Sequence, residues 1–186
     1  IGRVPRLVAQ GFRGPIYIQQ AGAELVPVML LDAASLAESD AERVNRRRRA
    51  GEPKAMPLFT REDVHDVLDL LRPLPYDARQ PIAPGIEVAL RDAGHILGSS
   101  IVELWADGRK LVFSGDLGPL GTPILRDPTP VREADLVLMD LNMPGAQGFN
   151  ALVHLRALHP QLPVVVVSAR EEPSVMRRAV DHGAVG

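Results

Sequence analysis

The spacing of hydrophobic residues predicts that the first 70 residues are mainly helical. Apolar positions recur three or four residues apart in residues 3–10 and 21–49, which predicts two helices. A short apolar run at residues 16–18 predicts a strand between them. A third helix is predicted after Thr60, because Thr60 can cap it and Asp63 stands at the third helical position, as in a capping box.

The middle of the chain alternates between apolar and polar residues, as strands do. Residues 86–92, 100–106 and 110–114 follow this pattern. The dipeptide Asp107-Gly108 lies between the last two segments and is a typical hairpin turn. Residues 118–130 are rich in glycine and proline, which predicts a loop.

The last third of the chain changes to nearly continuous apolar strands that alternate with helices. Residues 134–139 and 162–167 are predicted to be buried strands. Residues 148–158 and 172–182 are predicted helices, and Gly183 is the predicted C-terminal cap of the second one. Because this order is typical of parallel βαβ units, the predicted fold class is α/β, with a mixed sheet and helices followed by a short parallel βαβα segment.

Composition restricts the chemistry of any site. The 186 residues carry a formal net charge of −2, which gives no global attraction to nucleic acid. The absence of cysteine excludes thiolate ligands, so a metal must be held by histidine and carboxylates. A cysteine-free chain also fits a reducing cytoplasm, which is the predicted location.

No apolar run approaches the roughly 20 residues that span a bilayer, so no membrane partner is expected. Residues 1–6 lack the apolar core of a signal peptide, and the initial isoleucine suggests an excerpt or a processed product.

Two glycine-containing turns that follow predicted strands carry potential metal ligands. The sequence DAGHILGS places His95 after one strand, and FSGDLG places Asp116 after another. An imidazole and a carboxylate at neighbouring strand ends can converge on one divalent cation, with Zn²⁺ as the leading candidate. His95 and Asp116 would then bind the metal and act as catalytic residues by activating a bound water. A catalytic zinc normally has three protein ligands, so the pair alone is incomplete, and the alternative is a structural role for His95.

Several motifs together resemble the metallo-β-lactamase-fold RNA-processing nucleases of the β-CASP group over residues 1–139. The shared segments, in order, are GFRGPIY at 11–17, DAE at 40–42, DAGHILGS at 92–99, FSGDLG at 113–118 and GTPIL at 121–125. The resemblance implies that His95 and a bridging Asp116 are ligands of a dinuclear zinc site. It also implies a zinc-dependent phosphodiesterase or ribonuclease-type hydrolase with RNA as a partner.

The resemblance to the nucleases is partial. The family's HxHxDH motif would precede Ile1, and the carboxylate-Ser-Thr motif expected after residue 139 is replaced by Asp140. The β-CASP lid with its later histidine has no counterpart either. The resemblance therefore implies a partial hydrolase with weak or absent activity, in which a residual role for Asp140 is conceivable.

A second candidate site lies at the ends of the two apolar strands. Asp140 follows the first strand and is followed by Asn142, and Ser168 follows the second. A carboxylate in this position can accept a phosphoryl group when Mg²⁺ neutralises the phosphoryl oxygens, and a nearby hydroxyl can bind the phosphate. The alternative is that Asp140 and Ser168 simply begin turns.

Residues 135–186 resemble the middle of a response-regulator receiver domain. The resemblance implies that Asp140 is the phosphoacceptor, that Ser168 contacts the phosphate, and that Asp140 and the backbone carbonyl of Asn142 bind Mg²⁺. A histidine kinase or another phosphodonor would be the partner. The acidic pair and the lysine of that family have no counterpart here, so weak or absent autophosphorylation is expected.

The two resemblances meet in the predicted strand at residues 134–139. They predict a partial metallo-β-lactamase-like domain over residues 1–133 and a partial receiver-like segment over residues 134–186. The leading hypothesis is a partial metal-dependent hydrolase. The alternatives are a phosphorelay signalling module, and a fused, truncated or artificial chain without activity of its own.

Overall fold

The computed structural model describes residues 1–49, 51–143, 146–147, 149–169 and 172–186, with the backbone alone described at residues 142, 143, 146 and 147. The chain divides into two compact units, Ile1–Leu74 and Pro75–Gly186. Each unit has its own hydrophobic core. The two units are therefore described separately.

The first unit is mainly helical, as predicted. Its elements are α1 (Val4–Ala9), β1 (Ile16–Gln19), α2 (Gln20–Arg46), α3 (Arg61–Leu70) and β2 (Leu71–Leu74). The capping box is confirmed: the Asp63 backbone N–H donates to Thr60 Oγ1 at 3.3 Å, and the Thr60 N–H donates to Asp63 Oδ2 at 2.7 Å. Leu30 of α2 and Val64 of α3 are among the most buried core residues of this unit.

The short strand β2 in the first unit is not predicted by the sequence pattern. It pairs in parallel with β1, with Pro73 opposite Ile18. Proline cannot donate to a strand ladder, so its presence argues against a strand when only the sequence is considered.

No helix among the described residues has the length and apolar character needed to cross a membrane.

The second unit contains a six-stranded mixed sheet. Its elements are β3 (Gln80–Ala83), β4 (Ile86–Asp92), β5 (Ser100–Ala106), β6 (Arg109–Phe113), β7 (Leu136–Asp140), β8 (Asn142–Met143), β9 (Ala146–Gln147), α4 (Asn150–Leu158), β10 (Val164–Val167) and α5 (Pro173–Asp181). The strand order in the large sheet is β10-β7-β6-β5-β4-β3, and β8 and β9 form a separate pair. The predicted α/β class is confirmed.

Two types of strand pairing meet in this sheet. On one side, β4, β5 and β6 are antiparallel neighbours. The predicted hairpin between β5 and β6 is confirmed, because Asp107 and Gly108 both have positive φ angles, 49° and 72°, as a two-residue type I′ turn requires. On the other side, β6, β7 and β10 are parallel, which confirms the predicted βαβ arrangement.

One hydrophobic core joins the segments that lie before and after the predicted boundary at residue 133. Ile101 and Val112 precede it, and Met139, Leu152 and Val164 follow it, yet all five belong to the same cluster of buried residues. The predicted boundary between residues 133 and 134 separates two segments of different resemblance, and it stays a prediction. The core shows that the two segments pack as parts of one structure.

The antiparallel half of the sheet also buries a charge. Glu103 of β5 is 2% exposed and accepts from Arg91 Nε at 2.7 Å, and Lys110 pairs with its other carboxylate oxygen. Arg91 also donates to Asp77 Oδ1 at 2.8 Å, and this hydrogen bond is the main cause that raises the pKa of Arg91. Arg91 and Lys110 thus compensate the charge of the Glu103 carboxylate, which would otherwise be costly to bury.

On the same half of the sheet, the Trp105 ring lies under the Arg79 guanidinium, 4.2 Å from its central carbon.

Candidate functional site

The predicted site residues lie along one edge of the six-stranded sheet. Strands β4, β6, β7 and β10 run in the same direction, because two antiparallel pairings relate β4 to β6 and parallel pairings relate β6 to β7 and β7 to β10. Their carboxyl ends therefore lie at the same edge. His95 follows β4, Asp116 follows β6, Asp140 ends β7 and Ser168 follows β10.

The turn that carries His95 is organised around one hydroxyl group. Ser99 Oγ accepts from the backbone N–H groups of His95 at 3.1 Å and Ile96 at 3.2 Å. The Asp92 carboxylate accepts from the Gly94 N–H at 2.9 Å and so closes the start of the turn. The backbone of His95 is therefore held by side chains on both sides of it.

The turn that carries Asp116 packs directly against the His95 turn. The Gly118 N–H donates to the Ala93 carbonyl at 2.8 Å. A Cβ atom at Gly118 would lie 1.8 Å from the Gly94 carbonyl oxygen, so only glycine fits there. Gly94 is constrained as well, because its φ is +65° and a Cβ there would meet the Arg126 carbonyl oxygen at 2.7 Å. The two turns form a clamped pair, called the turn clamp below.

The turn clamp brings the two predicted metal ligands together. His95 Nε2 lies 3.9 Å from Asp116 Oδ2, and the two side chains are 28% and 52% exposed. Two ligands of one tetrahedral zinc with bonds of about 2.1 Å would lie about 3.4 Å apart, so a closure of about 0.5 Å would be needed. Donor type and placement therefore fit a zinc ion.

The ligand set is incomplete within the described part of the chain. No group of three or more His, Asp or Glu side chains that could hold a metal ion is found there. Catalytic zinc normally uses three protein ligands. Among the described residues, the predicted pair His95 and Asp116 is thus one ligand short of such a site, and their ligation of zinc stays a prediction.

The phosphoacceptor candidate Asp140 is placed by sheet register. Val167 of β10 pairs with Asp140, so Ser168 follows the residue opposite Asp140. The Asp140 N–H donates to Ser114 Oγ at 3.3 Å, and the Ser114 N–H donates to the Leu138 carbonyl at 2.9 Å. Ser114 therefore connects the end of β7 to the segment that leads to Asp116.

Two parts of the predicted phosphoryl site can be described only in part. Asn142 lies in β8 and its backbone pairs with Gln147, but the structure does not describe its side chain. Residues 144 and 145, which follow it in the receiver-like motif, lie outside the described residues. The predicted Mg²⁺ ligation by Asp140 and the Asn142 carbonyl remains a prediction.

Tyr76 is a site residue that the sequence pattern does not reveal. Its hydroxyl donates to the Ser99 carbonyl at 2.7 Å and so supports the His95 turn from outside. Burial raises the pKa of Tyr76, and the nearby Asp92 carboxylate raises it further. Tyr76 is 23 residues from Ser99, so nothing local in the sequence signals the contact. Ser99, in contrast, could have been recognised as a turn-forming residue.

Comparison with known proteins finds relatives of two kinds. Ribonuclease TTHA0252 from Thermus thermophilus is 35% identical over 140 residues, which cover 75% of this chain and 28% of the ribonuclease. Transcription termination factor FttA from Cenarchaeum symbiosum is 29% identical over 118 residues, which cover 62% of this chain and 16% of that protein. The chain thus spans under a third of the length of either relative.

The last third of the chain matches a different family. The response regulator receiver domain matches residues 125–186. The glycerol metabolism activator of Pseudomonas putida is 48% identical over 54 residues, which cover 29% of this chain and 24% of the activator. Among solved structures, the metallo-beta-lactamase fold protein YhfI from Bacillus subtilis aligns with the whole chain and 64% of its own, with a TM-score of 0.48 and 11% identity. The sequence comparisons confirm both predicted resemblances: the chain is similar to ribonuclease TTHA0252 and to FttA and, in its last third, to response regulator receiver domains.

Proposed function

We propose that this chain is a partial metal-dependent hydrolase of the RNA-processing type, in which His95 and Asp116 bind zinc and hydrolytic activity is weak or absent. The observation that carries the proposal is the turn clamp, which holds an imidazole nitrogen and a carboxylate oxygen 3.9 Å apart. Zinc, when bound, would supply an acidic water for hydrolysis. RNA enters as the proposed partner through similarity to the ribonuclease.

The geometry supports zinc binding before any substrate is considered. Both side chains are partly exposed, so an ion can reach them from solvent. Their backbones are fixed by the Ser99 hydroxyl and by the contact of Gly118 with Ala93, so little ordering remains for binding to impose. Because only two ligands are supplied by described residues, we expect weak zinc affinity and correspondingly little turnover.

Zinc titration by calorimetry tests this proposal. His95→Ala and Asp116→Asn should each weaken zinc binding by about tenfold or more, because each removes one of two ligands. His154→Ala is the matched control, since His154 is exposed on α4 and far along the chain from either turn. Zinc affinity that is the same in the wild type and in His95→Ala would rule out the proposed site. RNA cleavage that depends on zinc would show that the activity is stronger than proposed.

A second candidate function is phosphorylation of Asp140 by a small phosphodonor or a histidine kinase. The register that places Ser168 next to the end of β7 favours it, as does the receiver-domain match. Incubation with acetyl phosphate and Mg²⁺ should add one phosphoryl group to the intact mass, and Asp140→Ala should abolish the addition. Asp181→Ala, an exposed carboxylate on α5, is the control. An unchanged wild-type mass would remove this candidate.

We further propose that residues 1–133 and 134–186 have separate origins and that the chain is a fused one, with the cytoplasm as its setting. The different relatives of the two parts support separate origins. A fused chain without independent activity is the expected outcome if both tests above are negative. Residues 75–133, expressed separately, keep four of the six strands but lose the core residues Met139, Leu152 and Val164, so we expect them not to fold alone.

A further inference from the structure

A cavity of about 480 Å³ lies in the second unit beside the junction of the two segments. Its floor is the sheet, where Ile101, Val137 and Met139 are 6%, 7% and 6% exposed. The loop of residues 128–134 and the end of α4 form the rest of its wall. The cavity therefore lies where a strand of the nuclease-like segment meets a strand of the receiver-like segment.

The interior of this junction cavity is apolar. Its walls include Leu117, Val131, Leu155 and Leu162. The buried polar side chain in the lining is that of Ser114, whose hydroxyl already donates to the Gly115 carbonyl at 3.0 Å and accepts from the Asp140 N–H. A ligand in the interior therefore finds little polar chemistry to satisfy, and its own buried part must be apolar.

Charged groups line only the outer part of the cavity. Arg132, Glu133 and His159 belong to the lining and are exposed, whereas the floor residues are buried. Adjacent charges of opposite sign, on Arg132 and Glu133, give the opening no strong preference for an anion or a cation. The entrance is thus polar and mixed in charge, and the interior is hydrocarbon.

We propose that the junction cavity binds a compact, uncharged, apolar molecule. Its volume lies within the range of about 300–1,000 Å³ that is usual for small-molecule pockets and well above the roughly 150 Å³ that holds benzene. A molecule of two or three rings fits this volume. Neither His95 nor Asp116 belongs to the lining, and the proposed ligand does not require zinc.

Binding of two matched fluorophores tests the proposed ligand class. N-phenyl-1-naphthylamine is neutral, and 8-anilinonaphthalene-1-sulfonate has the same ring system with a sulfonate added. The neutral probe should bind with saturation and about tenfold more tightly, because the sulfonate would lose hydration in the apolar interior. Equal or tighter binding of the sulfonate overturns the proposed ligand class. No saturable binding of either probe overturns the site itself.

Methyl NMR of methionine locates the bound probe. Met139 lies in the cavity floor, whereas Met29, Met56 and Met176 are exposed elsewhere. The neutral probe should shift the Met139 methyl signal and leave the three exposed methionines unchanged. Shifts at the exposed residues without a shift at Met139 would mean binding to other surfaces. An unperturbed Met139 together with a concentration-dependent dimer would mean that a second copy covers the cavity. Either result contradicts the proposal.

A cavity-filling variant provides an independent check. Ala134 lines the cavity. The phenyl ring of Ala134→Phe should occupy the space of the ligand and lower the affinity for the neutral probe by about tenfold or more. Ala157→Phe makes the same change at an exposed position of α4 outside the lining and should leave binding unchanged. Circular dichroism shows whether both variants fold. If Ala134→Phe does not fold, the Met139 shift in the wild type still decides the question.

Discussion

The two candidate sites share one sheet edge but are held in place in different ways. His95 and Asp116 are on turns that touch each other through backbone atoms, with Gly118 against Ala93 and Gly94. Asp140 is placed by the register of β7, and its backbone N–H donates to Ser114 Oγ. Register fixes where a residue lies along an edge, whereas a backbone clamp also fixes how two turns face each other. The backbone contact therefore fixes how the two turns that carry His95 and Asp116 face each other.

The largest effect is expected from breaking the turn clamp with Gly118→Ala. The new Cβ would lie 1.8 Å from the Gly94 carbonyl oxygen, a backbone atom that no side-chain rotation can move away. We expect the free energy of unfolding to fall by more than about 4 kcal/mol, as in the most severe steric substitutions. Urea denaturation measures the loss.

Gly121→Ala is the control for the turn clamp. Gly121 has a φ of +73° but open space around its Cβ position, so it reports conformational strain alone. It should cost about 1–2 kcal/mol. Equal losses for the two substitutions would mean that the clamp contributes nothing specific.

The next effect tests whether the two halves of the sheet unfold together. Leu152 of α4 is completely buried in the shared core, so Leu152→Ala should cost about 2–5 kcal/mol. Trp105 is the one tryptophan of the chain and lies on β5, in the other half. Its fluorescence transition in urea should therefore move to lower urea in this variant.

Leu158→Ala is the matched control on the same helix. Leu158 is 61% exposed, and its removal should change stability by less than about 0.5 kcal/mol. If Leu152→Ala shifts the circular dichroism transition but leaves the Trp105 transition in place, the two halves unfold independently.

A smaller effect is expected from the buried charge, which is found only in the antiparallel half among the strands described above. Glu103→Gln keeps the shape of the side chain but leaves Arg91 and Lys110 without their shared carboxylate. These two cations are 28% and 16% exposed, so water compensates part of the loss, and we expect about 1–3 kcal/mol rather than the full cost of a buried broken pair.

Glu87→Gln tests an exposed ion pair in the same half of the sheet. Glu87 pairs with Arg79, and the two side chains are 42% and 49% exposed. This change should cost about 0.5 kcal/mol or less. Denaturation in urea compares the two variants, and a similar cost for both would contradict a special role for the buried carboxylate.

The smallest expected change in stability is the pH-dependent contribution of Tyr76. Its pKa is raised from the usual 10.0, so the folded state favours the neutral phenol. The resulting stabilisation is complete below the unfolded pKa of about 10 and is lost as the pH rises through the folded pKa. The stability advantage of the wild type over Tyr76→Phe should therefore be constant at neutral pH and shrink above about pH 10. An advantage that stays constant or grows with alkaline pH would contradict the raised pKa.

Local sequence features predicted most of the fold. The Thr60 capping box and the Asp107-Gly108 hairpin depend on neighbouring residues, and both are confirmed. The strand β2 depends instead on pairing with β1 more than 50 residues away, and Pro73 concealed it. Helices and hairpins are encoded locally, whereas a short parallel strand depends on a distant partner.

The same distinction between local and distant interactions applies to the candidate site. The motifs placed His95 and Asp116 at strand ends, and their proximity follows from the parallel directions of β4 and β6. The support from Tyr76 and the contact between Gly118 and Gly94 could not be predicted, because both depend on how two distant loops pack. The junction cavity likewise arises only when the sheet and α4 are assembled.

The parallel ladder between β6 and β7 has a consequence for how new proteins can arise. It joins Val112 to Val137 through backbone N–H and carbonyl groups, which every residue except proline offers. A new segment can therefore pair with β6 if it begins with an apolar strand of suitable length, whatever protein it comes from. Genetic exchange between unrelated coding regions can therefore succeed at a strand boundary, provided that the side chains of the new strand also fill the core that both segments share.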